Sequence, residues 1–403
     1  MNELVLFALL FIAIAVGWLL GRRQESTRMS SSELPSEYYH GLNYLLDGRP
    51  DGAIDAFVTA LEVNTDTLET HITLGNLLRR RGEVERAIRI HQNLLARPSL
   101  PRKQIHQAHL ELARDYISAG LLDRAERLLL DLVKESPEQR RTSRRHLLEI
   151  YQRERDWLKA VAVAEELLPR KSLLGSTGQA ELGEQGQAVN IALSHYHCEQ
   201  AAQKLQLGEY ESARIFLQKA LGQDRECVRA SIMLGDLEYR CERYKQAAKA
   251  LLQVKAQDSH YVPETIALLR KCYEQLGDSG ALRRYLEECL TMSPTSSLVL
   301  AIAEDRRLSE GETAATEFLS EQLSSLPSLH GLASLIDFQF SASAGAAREN
   351  LGVLQVLVQR LVAERPTYQC NHCGFSGRQL HWFCLGCKYW GTMKAIQGGQ
   401  SEC

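Results

Sequence analysis

The chain has 403 residues, 24% of them charged, and a formal net charge of −3, a balance that excludes both a strongly basic nucleic-acid binder and an acidic disordered chain. Hydrophobic residues make up 44% and only 10 residues are proline, which predicts a folded, mostly helical body. Aromatics are sparse at 7%, and Ala, Leu, Glu, Arg and Gln, the residues that lose least on entering a helix, are abundant. Of the ten cysteines, four form two terminal C-x-x-C pairs, Cys198, Cys227, Cys241, Cys272 and Cys289 are scattered through helix-like segments, and Cys403 ends the chain. Such scatter suits a reducing compartment, where buried cysteine acts as a small apolar residue.

The N-terminal stretch from Leu4 to Leu20 carries no charge. As a helix it reaches about 25 Å, enough for the thinner end of bilayer hydrocarbon. A secretory signal is disfavoured, because Asn2 and Glu3 stand where a basic region belongs and no A-x-A-like site follows. Arg22, Arg23 and Arg28 lie just after the span, so the positive-inside rule places the body in the cytoplasm, on a single-pass anchor. Residues 24–35 read as a polar, Ser-rich tether.

A 34-residue period follows, visible in Gly41 and Gly75 on one register and Ala53 and Ala87 on another. In the first unit Gly41, Tyr44, Ala53, Phe57 and Ala60 occupy the small, aromatic, small, large and small positions of a tetratricopeptide repeat. Two helices cross closely only where side chains are tiny, and large residues one turn away fill the remaining space. The pattern recurs with Leu74, Gly75, Leu78, Gly82 and Ala87, then with Leu112, Ala113, Tyr116, Gly120, Ala125 and Pro137, then with Leu147, Tyr151 and Ala160. Ala201 to Gly235 and Ala213 to Ala247 repeat the offset after an inserted loop at about 170–186. Beyond Pro263 the repeats weaken, although Tyr273, Gly277, Leu286 and Pro294 keep the spacing loosely, and helices are predicted to continue to about Ala363. Six repeats and two or three weaker pairs stack into a superhelix whose concave face suits proteins or peptides.

From Tyr368 the helical pattern stops. Cys370, Cys373, Cys384 and Cys387 form two pairs ten residues apart, flanked by aromatics and glycines, the pattern of two metal knuckles on short β-hairpins. Four thiolates at this spacing surround one tetrahedral ion, zinc or iron, and a closed shell leaves no position for hydrolytic chemistry. A piece this small draws most of its folding energy from the ion. His372 and His381 lie nearby but are not needed as ligands. The short Arg365-Pro366 connection predicts that the ribbon packs against the last repeats.

Other chemistry is missing from the sequence. His195 and His197 are two apart on a helix and point to different sides, which argues against a metal site there. There is no P-loop, dinucleotide glycine fingerprint, H-E-x-x-H or G-x-S-x-G, so the chain reads as a non-enzyme. The clusters Arg79-Arg80-Arg81 and Arg140-Arg141 with Arg144-Arg145 read as solvated surface, with contact to anionic headgroups as the sharper alternative.

The order of anchor, repeat array and cysteine ribbon, with Leu-Gly-Asn-Leu at 74–77 and the run Arg-Gly-Glu-Val-Glu-Arg-Ala-Ile-Arg-Ile-His-Gln at 81–92, resembles the lipopolysaccharide assembly protein B family of Gram-negative bacteria over nearly the whole chain. The resemblance implies an all-α fold: a transmembrane anchor (1–21), a tether (22–35), a tetratricopeptide-repeat superhelix (36–365) and a small rubredoxin-type ribbon (366–403) with Cys370, Cys373, Cys384 and Cys387 as ligands of one Fe or Zn ion. Where the family often has proline after the third cysteine this chain has Leu385, which softens the second knuckle without touching its ligands. It further implies an inner-membrane adaptor that lowers lipopolysaccharide synthesis. The adaptor helps the membrane-anchored AAA+ protease FtsH degrade the deacetylase that commits precursors to lipid A, and a lipopolysaccharide-sensing membrane regulator restrains it. A scaffold gathering biosynthetic enzymes without proteolysis, and electron transfer through a redox-active iron, are the alternative readings.

Overall fold

The computed structural model describes residues 68–96, 100–169 and 184–396 apart from Ser293, together with a few positions between 40 and 56. The expected anchor at Leu4–Leu20, the tether, most of the first repeat and Cys403 lie outside the described residues. No described helix is long and apolar enough to cross a membrane. The chain divides into two compact units, residues 1–146 and 147–403.

The first unit holds antiparallel helix pairs: α1 (Leu68–Arg80) with α2 (Val84–Leu95), and α3 (Arg102–Ser118) with α4 (Leu122–Glu135). The small residues sit where the helices cross. Ala87, Ala108, Ala113 and Ala125 are fully buried among Leu78, Leu94 and Leu129. At Gly75 an added Cβ would lie 2.5 Å from the His91 ring, so only glycine lets α1 and α2 approach. Arg79, which reads from sequence as part of a solvated cluster, is instead 13% exposed and pairs with Asp115 at 2.7 Å and Glu111 at 2.8 Å. The His91 Nδ1 also meets Asp115, and both side chains are fully buried. This three-helix network holds α1 and α2 to α3.

Helix α5 (Arg140–Glu154) crosses the boundary between the units. The second unit continues with α6 (Trp157–Leu167), α7 (Glu184–Gln206), α8 (Tyr210–Gln223), α9 (Val228–Arg240), α10 (Tyr244–Leu252) and the single turn α11 (Val254–Gln257). A 3₁₀ turn (Ser259–Tyr261) leads into α12 (Val262–Leu276) and α13 (Ser279–Met292), then α14 (Ser296–Glu310), α15 (Glu312–Ser325), α16 (Leu329–Ala342) and α17 (Ala346–Glu364). Ala160, Ala201, Ala213 and Ala247 are fully buried, and a Cβ at Gly235 would lie 2.6 Å from Leu251. Residues 184–186, read from sequence as the end of a loop, already belong to α7; residues 170–183 lie outside the described set.

Six turns between paired helices share one geometry. Gly82, Gly120, Arg155, Gly208, Glu242 and Gly277 all have φ between 57° and 85°, and the next residue's N–H returns to the carbonyl five residues back, at 2.8–3.1 Å. This left-handed cap satisfies carbonyls that the helix end would leave free. Four of the six use glycine, which adopts that conformation without Cβ strain; Arg155 and Glu242 adopt it against their preference.

The nine described cysteines form no disulfide, and Cys198, Cys227, Cys272 and Cys289 are buried in the helical body. They act there as small apolar core residues.

Candidate metal centre

The ribbon is a three-stranded antiparallel sheet in the order β2-β1-β3, with β1 at Tyr368–Cys370, β2 at Ser376–Gly377 and β3 at Met393–Ala395. The first knuckle closes by Cys370 N–H donating to Phe375 O at 2.8 Å and Gly374 N–H donating to Cys370 O at 2.9 Å. The second repeats it, with Cys384 N–H to Tyr389 O at 2.9 Å and Lys388 N–H to Cys384 O at 3.0 Å. Both knuckles need a left-handed residue straight after their second cysteine. Gly374 supplies it in the first at φ 77°, and Lys388 in the second at φ 63°.

The knuckles bring together the four cysteines that the spacing singled out. The Sγ atoms of Cys370, Cys373, Cys384 and Cys387 all lie within 4.8 Å of one another, with 3.7 Å from Cys370 to Cys387 and from Cys373 to Cys384. A tetrahedron of metal–sulfur bonds of about 2.3 Å has sulfurs about 3.8 Å apart, so the residues fit one ion bound by cysteines. Among the described residues no other group of three or more His, Cys, Asp or Glu side chains is placed to hold a metal.

The surroundings push two of these thiols in opposite directions. Burial alone raises the Cys370 thiol, but the Thr392 hydroxyl at 3.2 Å and the N–H groups of Cys373 and His372 overcome it and bring it down to about 6. Cys387 is pushed up to about 12, first by burial and then by the neighbouring sulfurs, against the N–H of Tyr389. Four sulfurs at this separation lose their protons together only when a cation neutralises them. His372 is not among them; its ring stacks on Tyr389 at 4.3 Å.

The ribbon's main seat corrects the expectation that it rests on the last repeats. It packs chiefly on the middle of the second unit, through residues that sequence reasoning did not assign. Trp390 stacks on His195 of α7 at 4.9 Å and meets Tyr196 and Trp157 edge-on at 5.9 and 6.4 Å. Trp382 stacks on Tyr261 at 5.4 Å, over a core of Val228 and Val254. The Tyr261 hydroxyl is placed to donate to the carbonyls of Gly391 at 3.1 Å and Met393 at 2.7 Å. Lys394 pairs with Asp258 at 2.7 Å, and the Tyr368 hydroxyl donates to Glu264 at 2.7 Å. Burial opposes the Asp258 charge, yet Lys394 and His260 hold its carboxyl below the usual range. Burial, with a smaller push from Arg229, drives His195 down to about 3, so the ring is neutral against Trp390. Its neighbour His197 sits by Gln200 and Phe216, as expected of histidines that are not ligands.

Comparison with known proteins agrees with both parts. A family described as the rubredoxin metal binding domain matches residues 368–395, and tetratricopeptide-repeat families match residues 70–104 and 198–261. Lipopolysaccharide assembly protein B of Escherichia coli (strain K12) is 36% identical over 397 residues, covering 98% of each chain. The protein of the same name from Haemophilus influenzae (strain Rd) is 34% identical over 403 residues, covering 97% of this chain and 98% of its own. Identity at this level, from end to end and through both the helical repeats and the cysteine ribbon, places the chain in the lipopolysaccharide assembly protein B family.

Proposed function

We propose that this chain is a non-catalytic adaptor in the inner membrane that lowers lipopolysaccharide synthesis by helping FtsH degrade the lipid A deacetylase. The observation that carries this reading is the end-to-end identity with relatives named for lipopolysaccharide assembly. The fold supports it, because stacked helix pairs offer an extended surface for other polypeptides. The uncharged stretch Leu4–Leu20 followed by Arg22, Arg23 and Arg28 supports a single-pass anchor with the body facing the cytoplasm. Anchoring adaptor and protease in one bilayer raises the client's effective concentration at the protease without any new contact. A lipopolysaccharide-sensing membrane protein is the proposed restraint on the adaptor.

In this reading Cys370, Cys373, Cys384 and Cys387 hold one ion whose role is structural. Bound there, zinc would supply roughly 10–16 kcal/mol of folding free energy to the ribbon. The ribbon's own residues then clamp α7, α9 and the start of α12 together through Trp390, Trp382, Tyr368 and Lys394. Pulse-chase of the deacetylase in cells depleted of this protein tests the reading. A lengthened half-life is expected; an unchanged half-life, with biosynthetic enzymes still co-purifying, would instead favour the scaffold.

A further inference from the structure

A cavity of about 440 Å³ lies away from the cysteines, between α14, α15, α16, the end of α17 and the two ends of the ribbon. Its apolar wall includes Leu300, Leu323, Val362 and Ile396. Its polar wall includes Ser296, Ser297, His330 and Arg365. Arg365 has no carboxylate partner among the described residues. The Ser296 hydroxyl oxygen is buried without a hydrogen-bond partner.

Two helices begin at this cavity. Ser296 and Ser297 open the 15-residue α14, and Leu329 and His330 open the 14-residue α16. The caps Thr295 and Ser328 engage only the N–H groups of Leu298 and Gly331. The N–H groups of the first two residues in each helix are those that a helix leaves without an internal acceptor. Two positive helix ends, an unpaired guanidinium and an unpartnered hydroxyl therefore line one cavity with His330 and Thr367, opposite an aliphatic stretch of Leu300, Leu323, Val362 and Ile396. Its volume lies in the range of small-molecule sites.

We propose that this cavity binds a small anionic amphiphile, a single aliphatic chain headed by a carboxylate or phosphate. The head lies against Arg365 and the starts of α14 and α16, and the chain lies along Leu300, Leu323, Val362 and Ile396. A peptide C-terminus shares the carboxylate, but along Leu300, Leu323, Val362 and Ile396 a peptide's amides would meet no polar side chain, so that stretch favours an unbranched aliphatic chain. Ile396 and Thr367 join the two ends of the ribbon by an N–H to carbonyl bond of 2.9 Å. The ligand would therefore touch the ribbon and the last helices together. This site is separate from the adaptor reading and stands or falls without it.

The test uses the full, metal-loaded chain in nanodiscs of neutral phosphatidylcholine, with empty nanodiscs as the blank for partitioning. Equilibrium dialysis with decanoate, decyl phosphate, decanol and a tripeptide ending in leucine reads binding. One saturable site per chain for decanoate or decyl phosphate is expected, the pair distinguishing the two head groups. Decanol should bind at least about tenfold more weakly, and Arg365→Gln should weaken the anion by about tenfold or more. Metal content and tryptophan emission check the fold of that variant, and Ser297→Asp, which sets a negative charge against the head group, gives the same loss by a second route. Absence of saturable binding, equal affinity for decanol, indifference to both substitutions, or binding of the peptide alone would overturn the proposal.

Discussion

Lowering the pH from 7.5 to 5.5 should loosen the ribbon through one residue, His195. In the docked state this side chain is buried against Trp390 and Trp382, and burial holds its pKa at about 3 against an ordinary 6.5. A folded-state pKa below the undocked value means that only the undocked chain takes up the proton between those two values. The docked ribbon is then at full stability above 6.5 and loses stability as the pH falls toward 3. At pH 5.5 an undocked histidine is about ten-elevenths protonated, which corresponds to about 1.4 kcal/mol, a tenfold shift toward the undocked state. Three of the four tryptophans, Trp157, Trp382 and Trp390, lie in or beside this interface, so tryptophan emission during urea titration reports docking directly. Protonation of the cysteines also weakens metal binding in acid. The reference is therefore His195→Phe, which keeps a ring against Trp390 and removes the titration. The native chain should lose about 1.4 kcal/mol more than the variant between the two pH values. Equal losses would refute the reasoning.

Other outcomes follow from the same geometry. Tyr261→Phe removes the donor to Gly391 and Met393 and should weaken docking by about 1–2 kcal/mol, read by the same emission titration. Glu242→Gly relieves a left-handed residue and should stabilise the second unit by about 1 kcal/mol in urea unfolding, whereas Gly82→Ala should cost the first unit a similar amount. Asp115→Ala leaves His91 without its partner and Arg79 with Glu111 as its one remaining carboxylate, and should destabilise the first unit by about 1–3 kcal/mol. Cys384→Ser, or a strong chelator, should remove the ion by elemental analysis and shift the emission of Trp382 and Trp390 to the red while the helical circular dichroism persists.

The parts of this molecule legible in sequence are those set by local spacing. The two C-x-x-C pairs announce one tetrahedral site because each knuckle is a turn of a few residues. Gly75, Gly235 and the alanines at Ala87, Ala213 and Ala247 announce helix crossings because a short interhelical distance admits no larger side chain. What escaped depends on partners far away in the chain. Arg79 reads as one of three surface arginines until Asp115, 36 residues on, is seen to meet it. The seat of the ribbon rests on Tyr261 and Met393, 132 residues apart, and on aromatic contacts between α7 and Trp390. A His-Tyr-His run on a helix gives no sign that one ring faces a tryptophan from another domain. Arg155 and Glu242 hid two of the six shared turns, because the backbone there overrides the residue's own preference. Glu242 leaves one trace in sequence, falling one 34-residue period after Gly208.

The adaptor account is tested most directly by capture from native membranes. Tagged full-length protein is purified from crosslinked cells and compared with a chain lacking residues 1–21 and with Cys384→Ser, and the deacetylase and FtsH in each eluate are quantified. The account predicts that the intact chain brings down both, that loss of the anchor severs the protease, and that loss of the ion weakens the hold on the client. Equal recovery of both proteins with all three chains, or recovery of neither with the intact one, would contradict it.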